Sequence, residues 1–184
     1  MLGLPFRSSG YPCPDCGRQV DPSGIHAMTC SRSGTIARCH TVLRDTLQNV
    51  LLKAGLSVAP GQSPPGSSER PADLLVSSWR GLAIDFTVIT STRASASHLA
   101  SDSTLMDRAA DLKIRKSKAL CEAAGWEFRP FVADTFGAIR SDGRALVSRV
   151  IKRCASQLFP LSEAEAGRAI WSSVAAAVIA RVTM

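Results

Sequence analysis

The sequence lacks any long uncharged apolar run and any secretory signal. Residues 169–180 are shorter than the roughly 20 residues that a transmembrane helix needs, and Arg168 and Arg181 flank them. No basic segment followed by an apolar one opens the chain, as a signal peptide requires. These absences predict a protein without a membrane partner in an intracellular, reducing compartment.

Acidic residues are also few. The chain carries 15 Asp and Glu against 22 Lys and Arg, which gives a formal net charge of +7. Such a balance favours an acidic partner, most simply DNA with RNA as the alternative, over a basic protein without such a role. The 184 residues suffice for one core and a small appendage, and a hydrophobic fraction of 45% argues against global disorder.

The first 34 residues have few apolar side chains to bury, but they hold a group of potential metal ligands. Cys13 and Cys16 form a Cys-x2-Cys pair, and His26 and Cys30 follow as His-x3-Cys. Clustered cysteines in a reducing compartment bind metal more often than they form disulfides, and this spacing suits tetrahedral Zn²⁺. Unrelated free thiols are the alternative, and Cys39 and His40 are possible substitute ligands. Because protein atoms would fill all four positions, we expect a structural zinc site, with Ile25 and Met28 as its apolar cover.

The rest of the chain shows alternating helix and strand patterns. Periodicity predicts a helix, three strands, a helix, a strand and two final helices, over residues 36–54, 56–59, 72–78, 82–90, 103–124, 126–135, 145–159 and 164–182. This order predicts an α/β fold in which helices pack on a mixed sheet. The predicted units are a zinc-knuckle module (1–34), an α-β-β-β-α-β core (35–140) and a helical extension (141–184). A polar segment, residues 91–101, links the third strand to the second helix.

Two carboxylates fall in or next to the predicted strands of the core. Asp73 follows Arg70-Pro71-Ala72, and Asp85 interrupts an otherwise apolar strand. Burying a carboxylate is costly unless it is paired or binds a metal, and Mg²⁺ prefers carboxylate oxygens. A tight turn at Arg80-Gly81 would join antiparallel strands that bring the two acids together. The alternative is that Asp73 caps a turn and Asp85 faces solvent.

Two lysines on the second predicted helix are candidates to accompany this pair. Lys116 lies in the middle of the predicted apolar stripe and Lys113 at its edge, where a lysine can also extend to solvent. The stripe itself is predicted at Leu105, Ala109, Leu112, Ala119, Leu120 and Ala123. Both lysines could reach the sheet. The alternative is that both extend to solvent, and helical position alone favours this alternative for Lys113.

Taken together, these motifs resemble the C-terminal part of site-specific non-LTR retrotransposon proteins, over most of residues 11–140. In that family a Cys-Cys-His-Cys zinc knuckle precedes a restriction-like endonuclease of the PD-(D/E)xK class. The family motifs correspond here to the zinc ligands above, Arg38-Cys39-His40, Arg70-Pro71-Ala72-Asp73, Asp85-Phe86-Thr87-Val88 and Lys113-Ile114-Arg115-Lys116-Ser117.

The resemblance implies a restriction-endonuclease-like fold and Mg²⁺- or Mn²⁺-dependent nicking of DNA. Asp73 and Asp85 would be the metal ligands and Lys113 the active-site lysine. It further implies a reverse transcriptase domain in a longer parent protein, and the nucleus as location in a eukaryotic source. An acid that the family has after the first strand is replaced here by Ala59-Pro60-Gly61-Gln62, with Glu69 the nearest candidate. Two alternatives therefore stay open: an inactive zinc-containing nucleic-acid-binding module, and a zinc-stabilised protein-interaction domain that uses the C-terminal helices.

Overall fold

The fold is a mixed α/β arrangement with a small cysteine-rich unit at its N-terminal side. The computed structural model describes residues 10–22, 26, 30, 32, 34–90, 102–135, 137–157 and 162–179. Its elements are β1 (Tyr11–Pro12), β2 (Gln19–Val20), α1 (Thr35–Lys53), β3 (Val58–Pro60), β4 (Leu74–Val76), β5 (Leu82–Ile89), α2 (Asp102–Ala123), β6 (Glu127–Asp134), α3 (Ser141–Gln157) and α4 (Glu163–Ile179). The predicted α-β-β-β-α-β order is thus present. The predicted link at residues 91–101 lies outside the described residues.

The main sheet has four strands in the order β3-β4-β5-β6. β4 pairs antiparallel with both β3 and β5, whereas β5 and β6 run parallel over their full length. A parallel pair needs a crossover, and α2 supplies it. Between β4 and β5 the chain turns through a short 3₁₀ segment, Ser77–Trp79, followed by Arg80 and Gly81 with φ of 54° and 74°. Arg80 and Gly81 therefore both have the left-handed backbone conformation. Together with the 3₁₀ segment they make a longer connection than the tight turn at Arg80-Gly81 that the sequence suggested.

Alternate residues of β5 point to two different layers. Leu82, Ile84 and Phe86 enter the main core, which they share with α1, α3 and α4. Ala83 packs on the other side, in a smaller cluster that includes Cys121 of α2. The sheet therefore separates three helices on one face from α2 on the other. The boundaries of the three predicted units remain a prediction.

The buried face of α2 differs from the one predicted. Met106, Ala110, Ser117 and Cys121 are buried, whereas Leu112 is 61% exposed and Ala119 and Ala123 are also exposed. The predicted apolar stripe was therefore wrong: α2 is rotated about its own axis, so a different side of the helix faces the sheet. Small side chains on the inner face let α2 approach the sheet closely, and the pattern of larger apolar residues gave the wrong direction. Within the described ranges, no helix combines the length and apolar character needed to cross a bilayer.

Candidate functional site

The four predicted zinc ligands come together beside the β1–β2 ribbon. Their ligand atoms all lie within 4.8 Å of one another, with 3.8 Å between the sulfurs of Cys13 and Cys30 and 3.1 Å between Cys16 Sγ and His26 Nε2. Two sulfurs bound tetrahedrally at about 2.3 Å from Zn²⁺ are about 3.8 Å apart. Three thiols and an imidazole in this arrangement can hold one zinc ion.

Local backbone structure explains why the ligands converge. Cys13 N–H donates to Arg18 O and Gly17 N–H donates to Cys13 O, at 2.7 and 2.8 Å, which closes a tight turn around Cys16. Gly17 adopts φ of 74°, a conformation that suits glycine. The predicted apolar cover, Ile25 and Met28, lies outside the described residues.

The predicted carboxylate pair forms at the start of β4. Asp73 immediately precedes β4, whose first residue, Leu74, is in register with Ile84 of β5. Asp73 N–H donates to Ile84 O at 3.0 Å, which holds Asp73 beside the part of β5 that contains Asp85. The negative charge of Asp73 contributes to the raised pKa of Asp85, so the two carboxyl groups lie near each other. Asp85 is buried in the interior strand β5, so the alternative in which it faces solvent is wrong.

Of the two candidate lysines, the structure places only Lys113 at this pair. Its Nζ lies 2.9 Å from Asp85 Oδ1, and the lysine side chain is 27% exposed. Lys116 lies on the exposed side of α2. The rotation of α2 explains the difference, because it turns the edge of the predicted stripe toward the sheet and its middle toward solvent.

His40, which the sequence suggested only as a possible substitute zinc ligand and as part of a family motif, belongs instead to the carboxylate site. Its Nε2 donates to Asp73 Oδ2 at 3.1 Å, and the same oxygen accepts the backbone N–H of Phe86 at 2.8 Å. The imidazole also meets the Phe86 ring edge-on, with 6.3 Å between centroids. A polar residue on an otherwise apolar helix stripe was the available signal. Cys39, the other possible substitute zinc ligand, is buried in the main core.

The two carboxyl groups have opposite pKa shifts. Burial raises the pKa of Asp85 to about 6, which the paired Lys113 opposes and the negative charge of Asp73 reinforces. For Asp73, burial also acts to raise the pKa, but the hydrogen bonds from His40 and from Phe86 N–H outweigh it and leave the pKa lowered. Asp73 is therefore the better-stabilised anion, and Asp85 the carboxylate that most needs a cation.

An open cleft of about 430 Å³ is lined by residues of α1, β5 and α2 and by Cys30 of the zinc-ligand group. His40 and Lys113, the side chains paired with Asp73 and Asp85, line the cleft, whereas the two carboxylates themselves do not. The Glu69 side chain, the nearest candidate for a further acid, is exposed on the loop before Asp73. The arrangement can place a bound anion beside a carboxylate pair and an ammonium group.

No family model, curated protein or solved structure matches this chain. The geometry of the two ligand clusters and of the cleft between them is therefore the basis for assigning a function.

Proposed function

We propose that this chain is a metal-dependent endonuclease that nicks DNA, with a restriction-like core and a structural zinc knuckle. One observation carries the proposal: Asp73, just before β4, and Asp85 in β5 are neighbouring carboxylates, and Lys113 from the crossover helix pairs with Asp85. Two carboxylates that can hold a divalent ion and a lysine that lines the cleft suit metal-assisted hydrolysis of a phosphodiester. The net charge of +7 supports a nucleic acid as substrate.

The carboxylate pair fits a small divalent cation. Asp73 uses Oδ2 for His40 and Phe86 N–H, and Asp85 uses Oδ1 for Lys113, so each acid has a second oxygen that can serve as ligand. Mg²⁺ and Mn²⁺ take hard oxygen ligands, and Mg²⁺ sites commonly combine one or two carboxylates with waters and substrate phosphate. A bound ion would supply Lewis acidity and lower the pKa of an attacking water.

The protein's own groups have separate tasks in this proposal. Lys113 places positive charge beside Asp85 and can contact the scissile phosphate or orient the attacking water. His40 and the Phe86 N–H hold the Asp73 carboxylate in one orientation. Water oxygen bonds to phosphorus, the bond from phosphorus to the leaving oxygen breaks, and that oxygen takes up a proton. The products are a phosphomonoester and a free hydroxyl, with no covalent enzyme intermediate.

The zinc site has a different role, because its four positions are filled by protein atoms. Cys30 lines the cleft, so zinc binding would order one of its walls. In line with the resemblance to non-LTR retrotransposon proteins, we include in the proposal an origin in such an element and a reverse transcriptase domain as partner in the parent protein.

Two of the lysines of α2, Lys113 and Lys116, provide a matched test. In a plasmid-nicking assay with Mg²⁺ or Mn²⁺, Lys113→Gln and Asp85→Asn should lose nicking by at least about a hundredfold, the order expected when a group that stabilises developing charge is removed. Lys116→Gln removes the same charge from the exposed side of the same helix and should nick at close to the wild-type rate. Equal activity of the Lys113 and Lys116 variants would show that the site is wrongly assigned.

The alternative is a catalytically inactive zinc-containing module that binds nucleic acid. It is favoured by one observation, the sequence Ala59-Pro60-Gly61-Gln62 where the resembled family has an acid. A wild-type protein with zinc bound that binds DNA but nicks it with neither Mg²⁺ nor Mn²⁺ would replace the nuclease proposal with this one.

A further inference from the structure

One helix face outside the cleft exposes only basic and small side chains among those that the structure describes. From Ser141 to Ser156 of α3 eight residues are exposed: the basic Arg144, Arg149, Lys152 and Arg153, and the small Ser141, Ala145, Ser148 and Ser156. The only acidic residue of the helix is Asp142, and it is paired with Arg140. The face therefore has an excess of positive charge, and small neighbours leave room for a close approach.

The basic residues are spread over the exposed half of the helix. At about 100° per residue, Arg149, Lys152 and Arg153 lie within about 100° of one another, whereas Arg144 lies at the edge of the exposed half, and the face from Arg144 to Ser156 is about 18 Å long. At about 3.4 Å of duplex axis per phosphate of one strand, this length runs alongside about five phosphates. Serine hydroxyls between the cations are further donors to phosphate oxygens.

Arg149 is held in place by an aromatic ring. Its guanidinium carbon lies 4.1 Å from the centroid of the Trp79 ring, in the turn that precedes β5. Such stacking restricts the side chain while its N–H groups point outward in the guanidinium plane. An arginine fixed in this way loses less conformational freedom when it binds phosphate than a mobile one.

The chemistry of the face favours nucleic acid over other acidic partners. A helix that inserts into a membrane surface needs large apolar side chains beside its basic ones, and the exposed residues of α3 include none. A protein interface would typically be centred on aromatic or large apolar anchors, which this face also lacks. Closely spaced cations among serines and alanines suit a phosphate backbone.

We propose that the exposed face of α3 is a second binding surface for nucleic acid, which contacts the phosphates of a duplex. The inference rests on the proposed function, because it adds a contact for the same substrate. α3 packs on the face of the sheet that it shares with α1 and α4, whereas Lys113 and α2 lie on the other. None of the residues that line the cleft belongs to α3, so the surface is separate from the cleft, and it anchors a duplex without touching the bond that is cut.

The test compares two triple variants of the full chain with zinc bound. Arg149→Gln/Lys152→Gln/Arg153→Gln removes three charges from the face, and Lys53→Gln/Lys118→Gln/Arg168→Gln removes three exposed charges from other helices. Binding of a 40-base-pair DNA duplex is measured against salt concentration without added Mg²⁺, so that the duplex stays intact. The α3 variant should bind at least about tenfold more weakly, with a salt slope reduced by about 2 to 3, because each phosphate contact contributes about 0.9. The control should stay close to wild type.

A second variant covers the case in which the triple substitution harms folding. Lys152→Glu changes one exposed residue in the middle of the face and should by itself weaken duplex binding. If both α3 variants bind like the control, or if they lose binding to phosphatidylserine vesicles rather than to the duplex, the proposal is wrong. Nicking of DNA by the wild-type protein with Mg²⁺ is measured separately. Absence of nicking would refute the proposed nuclease activity, but it would not change the conclusion about duplex binding by α3. Normal nicking with unchanged duplex binding refutes only the α3 surface.

Discussion

At the residue scale, a few side chains determine what the carboxylate site can do. Asp73 and Asp85 are chemically identical groups placed in different surroundings: Asp73 accepts two hydrogen bonds, whereas Asp85 is buried with a single lysine as its partner. The protein thus keeps one carboxylate firmly ionised and makes the other dependent on a nearby cation. Two substitutions test this division.

His40 should matter through Asp73 rather than through the substrate. His40→Ala removes the donor to Asp73 Oδ2, so we expect nicking to require about 10- to 100-fold more Mg²⁺, the usual cost of losing a group that orients a metal ligand. His40→Gln retains an N–H donor and should restore part of the affinity. The measurement is the nicking rate against Mg²⁺ concentration, and an unchanged Mg²⁺ dependence in His40→Ala would contradict the assignment.

Asp85 should make the metal-free protein less stable as the pH rises. Its folded pKa of about 6 lies above the ordinary value of 3.8, so the protonated form stabilises the fold below pH 4 and this contribution is lost between about pH 4 and 6. Asp85→Asn does not titrate. Its free energy of unfolding relative to wild type should therefore rise between pH 5 and pH 8, by about 2 kcal/mol at most. Urea unfolding at the two pH values measures this difference, and a difference independent of pH would show that Asp85 is not destabilised by burial.

At the element scale, the sequence predicted the order of helices and strands better than the direction in which they face. The apolar run of β5 and the helical periodicity of α1 were clear, because both elements bury large side chains such as Phe86 and Leu43. In α2 the buried face is made of Met106, Ala110, Ser117 and Cys121, which carry a weak pattern, whereas the leucines lie to the side. The site could be predicted as a carboxylate pair from the strands alone. The choice between Lys113 and Lys116 depended on the rotation of α2 about its axis, which the sequence did not give. The hydrogen bond from His40 to Asp73 could be found only by knowing where α1 packs against β5.

The orientation of α2 has a measurable consequence for stability. Leu112 is 61% exposed and Leu43 of α1 is fully buried, although both are leucines in helices. Leu112→Ala should change the free energy of unfolding by less than about 0.5 kcal/mol, whereas Leu43→Ala should cost about 2–5 kcal/mol because it leaves a cavity. Denaturant unfolding of the two variants checks this. A large loss of stability in Leu112→Ala would mean that the leucine stripe does face the core.

At the scale of the whole molecule, two separate sets of interactions hold the chain together. The main core unites α1, α3, α4 and the sheet, while Cys13, Val20 and Cys30 form a cluster of their own. A segment with so few apolar residues needs its metal to be ordered, and the core does not. The cleft nevertheless takes lining residues from both, namely Cys30 on one side and His40 and Lys113 on the other.

Removal of zinc should therefore disturb one unit and leave the other folded. We expect one Zn²⁺ per chain by elemental analysis, and loss of order around residues 10–34 in Cys16→Ser or after chelation. The main thermal transition should move little, because the Leu43 and Phe86 core contains none of the ligands. Cys154→Ser, which alters a buried cysteine outside the ligand cluster, is the control and should retain its zinc.

Hydrogen exchange locates the change: protection lost only before Thr35 fits two separable units, whereas protection lost throughout β5 and α1 would show that the zinc unit is part of the main fold. Because Cys30 lines the cleft, DNA binding should weaken even where the core remains intact.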